Sequence, residues 1–360
     1  MTVAALCDSD PRRLEILREH WPDIPLFADS TAMMCSGQLD AVLVATPHYD
    51  HPEIAIEGFR HGLHVLIEKP AGVYTSRVRQ MNEEARRSGK VFGIMFNQRT
   101  NPLFARAREI VQSGQLGQPK RLVWIVTNWY RTQAYYDSGS WRATWNGEGG
   151  GVLLNQAPHN LDLWQWIFGM PRRVYAFCEV GKYHRIGVED DVTIQAEYAS
   201  GACATFITST GEVPGSNRLE ISGDRGKLVL EDDKLRWWNL SQPEREFCFS
   251  AAEGFFLPDM TYEEFTKPAE AGHPLILRNF ADAIRYGTPL IAPGEEGIHS
   301  LSLSNAAYLS AWTGDWVEIP VDEAVFVDHL RRHCAQEKQK LSARQEHLSD
   351  GYQIRWNTRW

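Results

Sequence analysis

The sequence lacks several features that would define its class at once. Its six cysteines include no Cys-x-x-Cys pair, which argues against a disulfide framework and favours reduced thiols in a cytosolic protein. No apolar run is long enough to span a bilayer, and no basic segment followed by an apolar one stands at the N-terminus. We therefore expect a cytoplasmic protein with no membrane partner. The cysteines are Cys7, Cys35, Cys178, Cys203, Cys248 and Cys334.

Positive charge is also in short supply. The chain has 37 Lys and Arg against 46 Asp and Glu, a net charge of -9, which argues against nucleic acid and anionic membrane surfaces as partners. No His or Cys residues show metal-ligand spacing, so we expect no metal ion. At 360 residues the chain is long enough for two domains, because one core rarely grows beyond roughly 250–300 residues.

Short apolar strands alternate with helices in the first hundred residues. This pattern predicts an α/β protein whose N-terminal part is a doubly wound parallel sheet of the Rossmann type, with helices on both faces. The predicted strands are residues 3–7, 24–27, 41–45, 64–67 and 91–95, and the predicted helices are 10–20, 30–35, 52–61 and 76–88.

One signature of a dinucleotide-binding sheet is absent. No Gly-x-Gly-x-x-Gly turn precedes residues 3–7, and no strand leads into the run of glycines at 149–151. In the usual strand order, residues 3–7 match the second strand and 41–45 the fourth, so the central first strand is missing. We expect that this sequence lacks about 25–30 upstream residues of a normal dinucleotide-binding unit. Alternatively, another segment, such as the tail after Asp322, fills the central position.

Polar residues stand where the predicted parallel strands end, which is where such sheets bind ligands. Asp8 is placed to accept hydrogen bonds from a ribose diol and would disfavour a 2′-phosphate, so NAD is favoured over NADP. Asp8 can equally act as a turn residue or a helix cap. Lys69 lies between an apolar strand and Pro70, whose ring restricts the backbone. We therefore predict that Lys69 points from a rigid strand end into the ligand crevice.

Residues 148–162 contain three consecutive glycines followed by a helical pattern. Glycine allows the backbone to turn sharply and to pass close to a bulky group. An apolar stripe beside a polar stripe predicts a helix that lines a polar pocket, although a surface helix facing water is the alternative and Pro158 would kink a helix at mid-length. The apolar stripe is Leu154, Ala157, Leu161, Trp164 and Phe168, and the polar stripe is Asn155, His159, Asp162 and Trp166.

The segment before the glycines, residues 128–145, is rich in aromatic residues and arginine. Aromatic faces flanked by a few polar groups suit a flat, hydroxylated ligand such as a pyranose or a cyclitol. Packing against a partner subunit is the alternative. The residues expected to contact such a ligand are Trp129, Arg131 and Tyr136.

Alternating strands follow the glycine-led helix and predict a large antiparallel sheet. One face would pack on helices and the other would be open for contact with another subunit. The predicted strands are 173–180, 192–198, 202–209, 218–222, 227–231, 235–238 and 246–249. Helices at 275–286 and 295–311, a strand at 316–319 and a long polar helix at 322–347 complete the pattern. The expected domains are therefore 1–97, which binds the dinucleotide, 98–320, which binds substrate and forms oligomers, and a mostly helical polar tail at 321–360.

The motifs Glu68-Lys69-Pro70 and Gly149-Gly150-Gly151, followed eight residues later by His159, occur in this order about ninety residues apart. Together with Thr46-Pro47, His51 and Trp141-Arg142, they make residues 3–319 resemble the glucose–fructose oxidoreductase, inositol dehydrogenase and rhizopine-catabolism family of sugar oxidoreductases. The resemblance implies NAD as cofactor, a sugar or cyclitol as substrate, and a homodimer or homotetramer formed through the open sheet.

The same resemblance implies roles for individual residues. Lys69 would be the catalytic lysine, and His159 would bind substrate and relay a proton. Asn155 stands where many relatives carry Asp, and because an amide cannot act as a base, the Asp–His relay is incomplete in this sequence. Residues of the cofactor groove would be Asp8, Thr46, Pro47, His51, Glu68, Lys69, Pro70, Asn97, Trp141 and Arg142, and those of the substrate site Lys69, Trp129, Arg131, Tyr136, Asn155 and His159.

We therefore expect an NAD-dependent oxidoreductase that acts on a ring hydroxyl group. Two alternatives remain open at this point. One is a glycosidase that uses NAD to oxidise, eliminate and re-reduce without net redox change, and the other is a sugar or nucleotide sensor without catalytic activity.

Overall fold

The computed structural model describes residues 1–266 and 272–337. Its first hundred residues alternate parallel strands and helices, as the sequence predicts, with element ends within a few residues of the expected ones. The elements are β1 (Leu6–Cys7), α1 (Pro11–His20), β2 (Leu26–Phe27), α2 (Ser30–Met34), β3 (Ala41–Val44), α3 (Asp50–Arg60), β4 (His64–Ile67), α4 (Thr75–Ser88) and β5 (Phe92–Ile94).

A large sheet and further helices follow this unit. The strands are β6 (Pro119–Val126), β7 (Arg173–Val180), β8 (Glu189–Glu197), β9 (Cys203–Ser209), β10 (Asn217–Gly223), β11 (Gly226–Glu231), β12 (Lys234–Leu240), β13 (Met260–Thr266) and β14 (Val317–Glu318). The helices are α5 (Pro102–Gln112), α6 (Gln133–Asp137), α7 (Pro158–Phe168), α8 (Glu244–Ser250), α9 (His273–Tyr286), α10 (Gly297–Thr313) and α11 (Glu323–Gln336). Short 3-10 helices span Asn97–Thr100 and Gly294–Glu296.

The parallel strands form two separate sheets. β1 pairs with β2, whereas β3, β4 and β5 form a sheet of their own. Among residues 1–266 and 272–337, no strand other than β2 pairs with β1, and no strand other than β4 pairs with β3, so the central position between the two sheets holds no strand. The described part of the tail is the helix α11, which packs on α10 and does not supply that strand. The remainder of the helix predicted at 322–347 lies outside the described residues.

The nine strands of the large sheet are ordered β13-β12-β11-β10-β6-β9-β8-β7-β14. Neighbours are antiparallel except β6 and β9, which pair in parallel. The prediction of a wholly antiparallel sheet was wrong at this pair, because the long connection through α6, α7 and two strands allows β9 to return in the same direction as β6.

Two details near the end of the large sheet also differ from prediction. Residues 246–249, predicted as a strand, belong to α8, and the acidic Glu244 and Glu246 in its first turn favour a helix N-terminus. β13 was not predicted, because its mostly exposed side chains show no apolar alternation. It forms through its hydrogen-bonded ladder with β12.

Helices cover one face of the large sheet, as expected. Trp164 of α7 stacks on Phe206 of β9, and Trp124 of β6 meets the same ring edge to face. α10 packs against both β7 and α7. On the other face the alternate side chains of β8, β9 and β10 are mostly half-buried, and Phe177 of β7 is 55% exposed.

The glycine-led helix begins later than predicted. α7 starts at Pro158, so the proline occupies the first helical position, where its missing N–H costs no hydrogen bond. Residues 151–157 form a series of turns, in which Gly151 accepts hydrogen bonds from the backbone N–H groups of Leu154 and Asn155. Asn155 therefore precedes the helix that carries His159, and the two residues do not share a helical stripe.

Candidate active site

The three glycines allow a close approach of the backbone to two buried groups, as the sequence predicts. A Cβ atom on Gly150 would lie 2.1 Å from the hydroxyl oxygen of Tyr308, and one on Gly151 would lie 1.9 Å from the backbone oxygen of Glu189. Any side chain at these positions would force the turn away from α10 and β8. The close packing of the turn against Tyr308 and Glu189 therefore fixes the positions of Asn155 and His159, which follow the turn.

Glu189, at the start of β8, binds the backbone of the glycine turn. Its fully buried carboxylate accepts hydrogen bonds from the N–H groups of Gly151 at 2.8 Å and Leu153 at 2.9 Å, and from the Tyr308 hydroxyl at 2.7 Å. Burial raises the pKa of Glu189 to about 7. Glu189 was not predicted as a site residue, because its partners lie far away along the chain.

Lys69 follows β4 and reaches across to the turn before α7. Its Nζ donates a hydrogen bond to the backbone oxygen of Asn155 at 2.7 Å. Burial lowers the pKa of Lys69, while the carboxylates of Glu68 and Glu148 oppose that shift. The sequence places this lysine at a strand end, and the structure brings it together with Asn155 from a segment 86 residues away.

A carboxylate lies beside the Asn155 side chain. Glu148 is 1% exposed and accepts hydrogen bonds from the Asn155 side-chain amide and from the N–H of Ala143 at 2.6 Å. Burial raises the pKa of Glu148. The Tyr135 hydroxyl donates to Asn155 Oδ1 at 3.4 Å on the other side. Glu148 was not among the predicted site residues.

His159 is buried in the first turn of α7. Burial lowers its pKa well below the ordinary histidine value, and the nearby Lys69 and His273 add to this shift, so the ring is neutral. His273, at the start of α9, was not predicted as a site residue. Its Nδ1 lies 3.3 Å from the side-chain nitrogen of Asn97, which connects the end of the parallel unit to the site.

His51 connects the ends of two parallel strands. Its ring nitrogens lie 2.8 Å from the backbone oxygen of Pro70 and 2.7 Å from that of Thr46. This buried residue therefore cross-links the loops that follow β3 and β4. Thr46 is exposed and Pro47 is partly exposed in the loop that follows β3.

Trp141 and Arg142 lie in the loop beside the lysine. The Trp141 ring meets the buried His48 ring edge to face, with centroids 5.9 Å apart. The guanidinium of Arg142 lies 4.7 Å from the Trp141 ring centre and donates to the Tyr135 hydroxyl at 3.1 Å. Its positive charge lowers the pKa of Lys69, so the two side chains are close enough to interact electrostatically.

The residues predicted to contact substrate fall into two groups. The charge of Arg131 also lowers the pKa of Lys69, and its guanidinium lies 5.2 Å from the Tyr135 ring centre. Trp129 is 7% exposed and Tyr136 is 3% exposed. The Tyr136 hydroxyl donates to Thr210 at 2.7 Å, so Tyr136 anchors this loop to the large sheet.

Two acidic residues have partners away from Lys69. Asp8 accepts a hydrogen bond from the N–H of Asp10 at 2.9 Å in the turn before α1, which agrees with its interpretation as a turn residue. The fully buried Asp162 pairs with Arg99 through contacts of 2.6 and 2.8 Å. Asp162 therefore does not extend a polar stripe toward the site, because its carboxylate neutralises a buried guanidinium.

Neither a metal cluster nor a membrane-spanning helix occurs in the described ranges. No group of three or more His, Cys, Asp or Glu residues there could hold a metal ion. No helix among the same residues is long and apolar enough to cross a bilayer.

Sequence models of one family match two consecutive parts of this chain. The model of the oxidoreductase family with an NAD-binding Rossmann fold, GFO/IDH/MocA, matches residues 1–96, and the model of the GFO/IDH/MocA C-terminal domain matches residues 104–229. The chain belongs to the GFO/IDH/MocA family. The predicted family and fold class are confirmed.

Individual relatives cover most of the chain. It is 28% identical to D-glucoside 3-dehydrogenase of Escherichia coli (strain K12), over 89% of this chain and 90% of the relative. It is 24% identical to myo-inositol 2-dehydrogenase of Thermotoga maritima, over 84% of this chain and 86% of the relative. The WlbA dehydrogenase from Bordetella pertussis, solved with NADH and UDP-GlcNAcA, superposes with a TM-score of 0.74 at 25% identity, covering 89% of this chain and 91% of that one.

These relationships establish the class of the protein. It is an NAD-binding oxidoreductase of the sugar and cyclitol dehydrogenase type.

Proposed function

We propose that this chain transfers a hydride between a ring carbon hydroxyl group of a sugar, glycoside or cyclitol and NAD. The observation that carries the proposal is the position of Lys69, with its Nζ 2.7 Å from the Asn155 backbone oxygen and its charge near the neutral ring of His159. Oxidation of a secondary alcohol requires a group that accepts the hydroxyl proton while the hydride leaves. Lys69 is that group in our proposal.

The surroundings of Lys69 favour its neutral form. Burial lowers the pKa of the lysine, and the positive charges of Arg142 and Arg131 lower it further. An amine with a lowered pKa is neutral in a larger fraction of molecules at a given pH, and only the neutral amine can accept the hydroxyl proton. His159, kept neutral by burial, offers a ring nitrogen for a substrate hydroxyl group and completes the proton path.

The residues present fit a nicotinamide dinucleotide at the ends of β3, β4 and β5. The side-chain oxygen of Asn97 is buried and has no hydrogen-bond partner among the described residues. A buried acceptor of this kind could bind a ligand donor such as the carboxamide of nicotinamide. Thr46, which is exposed, and Pro47, which is partly exposed, lie in the loop that follows β3. NAD, when bound there, would accept the hydride from the substrate carbon.

Aromatic rings and arginines beside the lysine support a hydroxylated ring as substrate. The Tyr135 ring is close to the guanidinium groups of Arg131 and Arg142, whose central carbon atoms are 5.2 and 5.0 Å from its ring centre. Such a combination offers a flat face together with several hydrogen-bond donors. Because one structural relative binds UDP-GlcNAcA, nucleotide-linked sugars belong in a substrate screen beside free sugars, glycosides and cyclitols.

The test is formation of NADH from NAD with each compound of that screen. We expect NADH with at least one ring alcohol, and formation at least about 100-fold slower with the Lys69→Ala variant. Normal binding of NAD without any NADH formation would contradict the proposal. Cleavage of a glycoside with catalytic NAD and no accumulation of NADH would instead favour oxidation and elimination without net redox change.

We further propose that residues 1–97 hold the dinucleotide, that residues 98–320 hold the substrate, and that the segment from 321 packs on the second part. The partly exposed face of the large sheet would form a homodimer or homotetramer. Phe177, 55% exposed on β7, supports this face as a contact surface. We expect Phe177→Glu to reduce the molar mass measured by light scattering, and an unchanged mass of the oligomer would contradict this assignment.

A further inference from the structure

Both carboxylate oxygens of the buried Glu148, near the proposed proton acceptor, accept hydrogen bonds. One carboxylate oxygen accepts from the Ala143 N–H at 2.6 Å and the other accepts from the Asn155 side-chain amide. Its backbone oxygen lies 2.8 Å from His48 Nδ1, and its backbone N–H donates to Thr144 at 3.0 Å. With 1% of its surface exposed, this residue has no solvent to stabilise its charge.

Asn155 connects Glu148 to Lys69. Its side-chain amide donates to the Glu148 carboxylate, and its backbone oxygen accepts the hydrogen bond from Lys69 Nζ at 2.7 Å. The side chain of Asn155 is a neutral amide and carries no negative charge of its own. A carboxylate is nevertheless present beside it, because Glu148 approaches from the preceding loop.

We propose that Glu148 is a positioning residue for proton transfer at Lys69: it orients Asn155 and supplies the negative charge that the amide at position 155 lacks. This inference rests on the proposed function, in which Lys69 accepts the proton of the substrate. Glu148 does not need to contact substrate or cofactor for this role.

The charges around Lys69 determine the expected direction of the effect. Glu68 and Glu148 stabilise its ammonium form, whereas Arg142 and Arg131 destabilise it. His159, His273 and His48 are also close, and each has its own pKa lowered by the charge of Lys69. Loss of the Glu148 charge should therefore favour the neutral amine at lower pH.

The first test is the pH dependence of kcat/KM in Glu148→Gln. We expect the acidic limb, which reports deprotonation of Lys69, to move to lower pH by about one unit, since a neighbouring opposite charge shifts a pKa by that order. We also expect kcat to fall about tenfold, because the glutamine presents an N–H group to the Asn155 amide in one of its two orientations. A merely structural role would lower the rate without moving the limb.

A charge exchange provides the sharpest form of the test. Asn155→Asp alone places two carboxylates in contact, so one of them must hold a proton, and we expect a loss of activity. In the double variant Glu148→Gln/Asn155→Asp, the glutamine oxygen can accept from Ala143 while its nitrogen donates to the new aspartate. We expect the double variant to be at least tenfold more active than Asn155→Asp and to return the acidic limb toward the wild-type position.

Glu189→Gln is the matched control. Glu189 is an equally buried glutamate that binds the same glycine turn, but it is not among the charges that shift the pKa of Lys69. Its substitution can lower stability and rate, yet it should leave the acidic limb in place. An equal displacement of the limb in Glu189→Gln would overturn the role assigned to Glu148.

A second measurement does not require turnover. Acetic anhydride reacts with an amine only when the amine is unprotonated. The pH dependence of Lys69 acetylation, followed by peptide mass spectrometry, therefore reports the protonation of this lysine directly. We expect half-maximal acetylation at lower pH in Glu148→Gln than in the wild type. Identical profiles would overturn the inference, whereas a shifted profile in a protein that oxidises no ring alcohol would refute only the proposed function.

Discussion

The hydroxyl group of Tyr308 lies 2.7 Å from the carboxylate of Glu189, and the backbone of Gly150 passes directly over that hydroxyl group. This contact joins α10 and β8 beneath the turn that leads to Asn155 and His159. The positions of the proposed substrate-binding groups therefore depend on a fully buried carboxylate.

The pH dependence of stability should reveal this carboxylate. Its pKa is about 7 in the folded protein and 4.5 for a free glutamate, so the folded state binds more protons than the unfolded state between these values. The contribution of Glu189 to the free energy of unfolding is therefore fully present below about pH 4.5 and is lost as the pH rises through 7. This difference corresponds to about 3 kcal/mol.

We expect the melting temperature of Glu189→Gln to fall less between pH 5 and pH 8 than that of the wild type, as followed by circular dichroism. The comparison of the two proteins removes the contributions of all other titrating groups. Parallel curves for both would show that Glu189 titrates normally in the folded state.

Gly151→Ala should destabilise the protein by about 3 kcal/mol, because its Cβ would overlap the backbone oxygen of Glu189 and neither backbone can move freely. Gly254→Ala is the control, since nothing lies within 4 Å of a Cβ at that position. Urea unfolding measures both variants. Equal midpoints for Gly151→Ala and Gly254→Ala would contradict the close approach described here.

Lys69→Ala should lower kcat by roughly 10²–10⁴-fold through the loss of the proton acceptor, while the Kd for NAD changes only a few-fold. Steady-state kinetics and titration of NAD by protein fluorescence separate the two quantities. Lys120→Ala removes an exposed lysine of β6 that pairs with Glu244, and it should retain wild-type turnover. Near-normal kcat in Lys69→Ala would eliminate the lysine as the acceptor.

Asp8→Ser should raise kcat/KM for NADP relative to NAD by about tenfold, because it removes a negative charge that would face the 2′-phosphate. It also releases Arg13, whose guanidinium lies 3.7 Å from the Asp8 carboxylate. Asp10→Ser is the control, since serine preserves the helix cap while removing a charge two residues away. A coenzyme preference that responds equally to both substitutions would refute the role of Asp8.

Elements and site residues whose structure depends mainly on adjacent residues in the chain could be predicted from the sequence. The parallel elements follow from local periodicity, so β4 and its successor α4 occur where apolar runs and helical spacing predict them. Lys69 was recognised because an apolar strand and a proline enclose it. The glycine turn was recognised because three consecutive glycines imply a close approach whatever the approaching group is.

Local pattern failed where two interpretations of the same letters compete. Pro158 was expected to disturb a helix, but the helix begins at that proline. Four residues at 246–249 alternate like a strand, yet they are too few to distinguish a strand from one turn of the helix α8.

Tertiary structure alone decided which distant groups meet at the site. Glu148, Glu189 and His273 carry no local signal, because a carboxylate or an imidazole in a sequence is equally compatible with a solvated surface. Their burial, and hence their shifted pKa values, arise only when the loop before α7, the start of β8 and the start of α9 converge. The sequence by itself determined the parallel unit, the lysine and the turn, whereas the electrostatic environment of that lysine was set by contacts between residues far apart in the chain.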